Sequence, residues 1–256
     1  MADLLISIVS HRQGELVGRL LRDLKHVSPP LEAEIVVTLN VDEAAPDPKE
    51  HGLPVRLIRN RSPRGFAANH NAAFRSARSR WFCVLNPDLR LAANPFPLLL
   101  SLLSIPGHAL VAPAVVNASG MIEDSARKMP TPRSILWKAL TGRAPIDYEL
   151  RDELVYPDWV AGMFMLFDSG AFAENRGFDE RYFLYYEDVD LCCRLRLSGR
   201  RIVLDPRVRV VHDARRASHR DLRYLRWHLS SMLRFFNSPI YRLALEQVPV
   251  AGEKAR

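Results

Sequence analysis

Five short apolar runs, at residues 4–9, 34–41, 55–60, 81–85 and 109–116, alternate with stretches of helical periodicity. Each run is apolar throughout rather than at every second residue, which marks strands buried on both faces. Between them, Leu16, Leu20, Leu21 and Leu24 make a helical stripe in residues 15–26. Residues 66–77 are Ala-rich and helical, and Asn94 followed by Pro95 opens a helix over 94–103. The acid- and Pro-rich residues 42–50 read as a loop. The alternation predicts an α/β chain with a parallel sheet covered on both sides. Such sheets bind ligands at the carboxyl ends of their strands. The loops that start at Ser10, Asn40, Asn60 and Asn86 therefore share one rim.

The second half is less regular. Residues 121–156 contain Pro130, Pro132 and Pro145 and one helix, over 134–140, expected to cross the active face. A strand follows over 160–167, then a turn or short helix from Ser169. A helix over 188–198 ends at Gly199, a natural C-cap. Two short strands, 201–204 and 207–211, flank Asp205-Pro206, and a long helix spans 221–236. That helix carries Leu222, Leu225, Leu229, Met232, Leu233 and Phe236 on one face, with arginines mostly elsewhere.

Composition bounds the function. At 256 residues the chain has room for one large domain or two small ones. No apolar run approaches the roughly 20 residues of a membrane-spanning helix. The N-terminus lacks the pattern of a signal peptide, and Cys83, Cys192 and Cys193 lack metal-site spacing, so the expected location is the cytoplasm. The net charge of +7 is unevenly spread: residues 194–256 hold 15 Arg or Lys against 5 Asp or Glu. This basic end suits an anionic surface or ligand, or is simply a solvated face. No nucleic-acid-binding motif accompanies it.

Three clusters could carry chemistry. Asp88 closes Asn86-Pro87-Asp88 at a strand end, where a carboxylate can hold a divalent cation, although Asn-Pro-Asp is also turn chemistry. Residues 60–71 combine Gly65 at a helix start with Arg61 and Arg64, a phosphate-friendly arrangement without P-loop spacing. Glu187-Asp188-Val189-Asp190 opens a helix behind Tyr182-Phe183-Leu184-Tyr185-Tyr186. Acids in a first helical turn complement its dipole, and Asp190 or a neighbour is expected to serve that purpose. Three acids exceed that need, and aromatic rings beside carboxylates suit a sugar. His212, at a strand end, is either structural or a metal ligand.

In order and spacing these clusters resemble the inverting nucleotide-sugar glycosyltransferases of family 2. The carriers are Asn60, Gly65-Phe66, Asn69, Asn71, Asn86-Pro87-Asp88, Trp159-Val160-Ala161-Gly162, Gly177-Phe178-Asp179-Glu180, residues 185–191 and His212. Within that family the chain looks most like rhamnosyltransferase-type members that build cell-surface polysaccharides.

The resemblance implies a GT-A fold over residues 1–217. Residues 1–116 form the nucleotide-sugar half and 117–217 the acceptor half, and 218–256 form a basic amphipathic helix and tail. It implies Mg²⁺ or Mn²⁺ held by Asp88 and His212, and Asp188 as general base with Glu187 beside it. Ser10, His11, Asn40, Arg64, Gly65, Asn69 and Asp88 would meet the nucleotide sugar. Trp159, Gly162, Tyr186 and Glu187 would meet the acceptor, a lipid-linked molecule or a glycan. The donor implied is dTDP-rhamnose, with a UDP-linked hexose or galactofuranose as alternatives. A non-catalytic nucleotide-sugar-binding relative is an alternative of another class.

Two departures stand out. The acid usual after the second strand is missing from residues 36–40, leaving Asn40 or Asp42 to substitute, and Asn86 replaces the first acid of the metal motif. The C-terminal helix is expected to dock peripherally on the anionic inner face of the plasma membrane, or else its apolar stripe simply packs on the domain or forms a homodimer.

Overall fold

The computed structural model describes residues 2–27, 32–142, 146–213 and 222–246. The first strand, β1 (Leu4–Ser10), leads through α1 (Gly14–Val27) to β2 (Ala33–Leu39). A one-turn helix, α2 (Pro48–His51), lies in the loop expected over 42–50 and precedes the edge strand β3 (Val55–Arg59). Then come α3 (Phe66–Arg75), β4 (Trp81–Leu85), the two-residue β5 (Leu89–Arg90), α4 (Phe96–Leu103) and β6 (His108–Asn117). Asn94 accepts the Phe96 amide at 3.0 Å, so the helix starts just after the sequence signal.

The chain continues through β7 (Ala126–Arg127) and α5 (Pro132–Thr141) to β8 (Trp159–Val160) and β9 (Phe164–Asp168). The single strand expected over 160–167 is thus two, broken at Gly162. Next are α6 (Ser169–Glu174), α7 (Glu187–Leu197), β10 (Arg201–His212), α8 (Leu222–Phe236) and α9 (Pro239–Glu246).

The main sheet runs β3-β2-β1-β4-β9-β6-β10-β5, and β7 pairs with β8 apart from it. Strands β3, β2, β1 and β4 are mutually parallel. The sheet is not parallel throughout: β9 lies antiparallel to both β4 and β6, and β5 antiparallel to β10. Apolar runs specify burial on both faces and carry no sign of direction.

The two strands expected about Asp205-Pro206 are one, β10, whose register against β6 shifts between Asp205 and Arg209. Asp205 is fully buried but accepts from Arg207 through the backbone amide and the guanidinium. The proline sits in that irregularity, where a missing amide is tolerated.

Side chains alternate across the sheet. Leu4, Ile6 and Ile8 join α1 and α4 in one core, while Leu5 joins α3, α6 and α7 in the other. The three cysteines are free and buried. A smaller cluster unites Tyr182, Tyr186, Val189 and Cys193 with Phe235 of α8 and Tyr241 and Ala244 of α9. Hence α8 turns Ser231 and Phe235 inward, while Leu222, Leu225, Leu229 and Leu233 of the apolar stripe face outward. The boundary expected at residue 217 lies outside the described residues.

Candidate active site

The parallel half builds the expected rim. The Asn40 amide donates to Ser10 O at 2.9 Å and the Asn60 amide to Leu39 O at 3.0 Å, extending the ladder past the strand ends. The side chain of Asn40 is occupied internally: Oδ1 accepts from Arg64 N and Asn60 Nδ2, and Nδ2 donates to Arg64 O. Asn69 accepts from Asn60 and donates to Arg64 O. These asparagines fix the 60–65 loop, leaving the Arg64 and His11 side chains exposed on the rim.

Near residue 40 an acid does lie on the rim, Glu43, which the sequence did not single out. Its carboxylate accepts from Ser10 Oγ at 2.8 Å and from Arg12 N at 3.0 Å, so it lies against the loop that follows β1. Asp42 is exposed instead.

Gly65 has a packing role that the sequence did not disclose. A Cβ there would lie 2.5 Å from Phe183 O, and the Phe66 amide donates to that same oxygen at 2.9 Å. The start of α3 is therefore closed by the backbone of the loop before α7. Asn71 fastens the other end of this loop, donating to Phe178 O and accepting from Phe178 N.

On the other side of β4, the turn at 161–163 is a hub. Met163 O accepts from Asn86 N, Ala161 N donates to Ser125 O, and Gly162 N donates to Asp188 Oδ2 at 3.1 Å. The loop of Asp88, the segment of Glu123 and the carboxylate of Asp188 are thereby tied to one backbone turn. The Asp88 carbonyl also accepts from Asp213 N, which draws the end of β10 alongside.

There His212 lies between two acids: Nε2 is 3.2 Å from Asp88 Oδ2 and Nδ1 is 2.7 Å from Glu123 Oε2. Hydrogen bonding to Asp88, then to Glu123, overcomes desolvation and raises its pKa to about 9. Glu123 is a site residue the sequence did not single out. It bonds the far ring nitrogen, so the three groups do not converge on one point, and among the described residues no cluster of three His, Cys, Asp or Glu could hold an ion. Asp88 Oδ1, however, is buried without a hydrogen-bond partner. An orphaned carboxylate oxygen beside an imidazole nitrogen fits a divalent cation that completes its shell from a bound diphosphate.

The acids at the start of α7 divide their roles. Asp190 does not cap the helix, since it is buried and paired with Arg194 at 2.7 Å. Asp188 accepts from Val189 N at 2.8 Å and from Gly162 N. Burial raises its pKa above the ordinary value, against these amides and the charge of Arg127. Glu187 is almost fully buried, its Oε2 has no partner, and burial followed by the Asp188 charge raises its pKa well above normal. Burial thus pushes both carboxyls of the pair upward, and Glu187, which also faces the Asp188 charge, further than Asp188.

Both preceding tyrosines are left-handed, Tyr185 at φ 70° and Tyr186 at φ 68°. Such residues cost about 1–3 kcal/mol each and persist only when packing fixes them. Here α8 does so: Tyr186 packs tilted against Phe235 and edge-on to His228, Tyr185 lies edge-on to His228, Phe183 packs tilted on Trp227, and Ser231 Oγ donates to Leu184 O. Tyr186 was expected to face the acceptor, but its ring is buried against α8. Trp159 is half-buried, donates Nε1–H to Lys128 O, and has the Arg127 guanidinium 5.5 Å above its ring.

A parallel half that ends in a polar rim, joined through an antiparallel strand to a half bearing the carboxylate pair, is the plan of a GT-A glycosyltransferase. Solved structures share it. A mannosyltransferase, PcManGT from Pyrobaculum calidifontis, in complex with GDP-Man and Mn²⁺, superimposes with a TM-score of 0.60 at 18% identity, over 94% of this chain and 68% of its own. GalNAc-T7 with UDP, GalNAc and Mn²⁺ gives 0.68 at 15% identity, over 92% of this chain and 48% of its own.

The family model described as Glycosyl transferase family 2 matches residues 6–170. Rhamnosyltransferase WbbL of Escherichia coli (strain K12) is 30% identical over 189 residues, 67% of this chain and 69% of that protein. An N-acetylglucosaminyl-diphospho-decaprenol L-rhamnosyltransferase of Mycobacterium tuberculosis (strain ATCC 25618 / H37Rv) is 33% identical over 151 residues, 55% of this chain and 49% of that one. This chain thus spans about half the length of the mycobacterial relative. The chain belongs to glycosyltransferase family 2, and it is a glycosyltransferase.

Proposed function

We propose that the chain transfers L-rhamnose from dTDP-rhamnose, with inversion, to a hydroxyl of a lipid-linked or glycan acceptor in cell-surface glycan synthesis. The observation that carries the reaction is Asp188, a partly buried carboxyl held by two backbone amides beside Glu187, whose pKa burial and the Asp188 charge push well above normal. The acceptor oxygen attacks the anomeric carbon, its proton passes to Asp188, and the bond from that carbon to the nucleoside diphosphate breaks. Amides on both carboxylate oxygens fix the direction in which Asp188 takes the proton. Glu187, buried beside it, has its pKa raised first by burial and then by the Asp188 charge, which disfavours a second negative charge there.

Asp88 and His212 would hold Mg²⁺ or Mn²⁺, and such a cation would supply Lewis-acid stabilisation of negative charge on the diphosphate. Arg61 and Arg64, exposed on the rim, supply further positive charge there. His11 and Glu43 face the nucleoside, and Trp159 supplies the apolar face of the acceptor site; Ser10, expected to meet the nucleotide sugar, is instead fully buried and holds Glu43 through its hydroxyl. The choice of rhamnose is supported by the two rhamnosyltransferase relatives, and a lipid-linked acceptor by the name of the mycobacterial one.

A thermal-shift panel of nucleotide sugars with and without Mn²⁺, followed by donor-turnover assays, tests the reading. The largest metal-dependent shift and turnover are expected with dTDP-rhamnose. A larger response to a UDP-linked hexose or to UDP-galactofuranose overturns the donor, and binding without turnover of any donor overturns the enzymatic reading.

A further inference from the structure

Two helices present apolar faces that the fold leaves uncovered. On α5, Leu136, Trp137 and Leu140 point outward, and on α8 so do Leu225, Leu229 and Leu233. These six range from 44% exposed at Leu229 to 78% at Leu140. The α8 residues fall at i, i+4 and i+8, on the side opposite Ser231 and Phe235, which bind the loop before α7. The packing demand of α8 is therefore met without its leucine stripe.

The two helices are neighbours. Met129, just ahead of α5, packs in the same cluster as Phe235, and burial, with the charge of Lys138 in α5 adding to it, depresses the pKa of His228 in α8.

Charge identifies the occupant. Arg133 and Lys138 lie on α5 and Arg223, Arg226 and Arg234 on α8, while neither helix contains an Asp or Glu. A second copy meeting this face across a two-fold axis would set cations against cations. An anionic bilayer complements them, and leucines with a tryptophan among basic residues are the composition of a helix lying in the headgroup region. Among the described residues no helix is long and apolar enough to cross a membrane, so the contact is interfacial.

We infer that α5 and α8 form a two-helix docking surface for an anionic lipid bilayer. Because α8 buttresses the tyrosines before Glu187, and α5 follows the segment of Arg127, docking brings the acceptor side of the site to the membrane. The inference does not depend on the donor or acceptor chosen above, since it is read with vesicles alone.

The test is co-sedimentation of the full chain with phosphatidylcholine vesicles and with vesicles that also contain phosphatidylglycerol. The protein should pellet with the anionic vesicles only, less so as salt rises. Leu136→Ser/Leu140→Ser and, separately, Leu225→Ser/Leu229→Ser should each weaken binding by about tenfold or more, at unchanged melting temperature. Lys138→Glu/Arg226→Glu should remove the preference for anionic lipid. Binding that survives the α5 pair overturns the two-helix surface, and binding indifferent to phosphatidylglycerol overturns the anionic bilayer. If the chain instead runs as a dimer that these substitutions dissociate, and no vesicles are bound, the occupant is a second copy.

Discussion

Asp188 is the residue on which the chemistry turns, and its surroundings set what a substitution should do. Asparagine keeps the volume, the contact with Gly162 N and the stacking of the neighbouring loop, but takes no proton. Asp188→Asn should therefore lower turnover by about 10²–10⁴-fold, the usual worth of a general base, while donor affinity stays within a few-fold. Single-turnover kinetics beside donor titration separate the two, and near-normal turnover would remove Asp188 from the role.

His212 gives a second residue-scale expectation. Its folded pKa of about 9 stands above the ordinary 6.5, so its stabilisation is complete below 6.5 and is lost as pH rises through 9. The metal-free protein should lose thermal stability across that window, and His212→Asn should flatten the slope. Glu123→Gln should weaken Mn²⁺ binding by about 10–100-fold, as losing the carboxylate behind a metal-binding imidazole does. Titration of Mn²⁺ in the presence of a nucleoside diphosphate measures it, and an unchanged affinity would make Glu123 a bystander.

Asp88, Asp188 and His212 were legible because each sits at a strand end or helix start that the apolar pattern marks. Glu123 and Glu43 were not, since their partners lie 89 and 33 positions away in the chain. Only the fold brings them together.

At the scale of elements, the main strands and helices follow from apolar runs and caps, but three features do not. The direction of β9 leaves no trace in its composition. The two-residue strands β5, β7 and β8 are too short to show a period. The inward face of α8 is built from Trp227, His228, Ser231 and Phe235, which sequence pattern ranks below a run of leucines. That face matters because it holds two left-handed tyrosines at the entrance to α7.

Gly65 holds the same loop from the other side. Gly65→Ala would place a methyl 2.5 Å from Phe183 O and 2.8 Å from Phe183 Cα, backbone atoms that cannot swing aside. The expected result is a loss of about 1–3 kcal/mol in stability, as for other overpacked sites. Turnover should fall more than donor affinity, because the displaced loop carries the base. If melting temperature and turnover both match the parent protein, the loop is not held there.

For the molecule as a whole, the sequence suggested a catalytic body with a basic appendage beginning near residue 218. The sequence also left open that the helix simply packs on the domain, and α8 and α9 do share a cluster with it. Tyr182, Tyr186, Val189 and Cys193 in the catalytic body share one cluster with Phe235, Tyr241 and Ala244, so α8 and α9 complete a core rather than decorate one. A chain ending at Asp213 would expose three aromatic or β-branched side chains around Glu187. It would also release the αL pair from the contacts that offset its strain. Such a chain should lose donor-dependent thermal stabilisation and expose apolar surface to a hydrophobic dye, while the outward Leu136→Ser/Leu140→Ser variant does neither. A truncated chain that unfolds cooperatively and still responds to the donor would restore the appendage reading. The opposite result makes the inward face of α8 part of the structure that sets the geometry of the base.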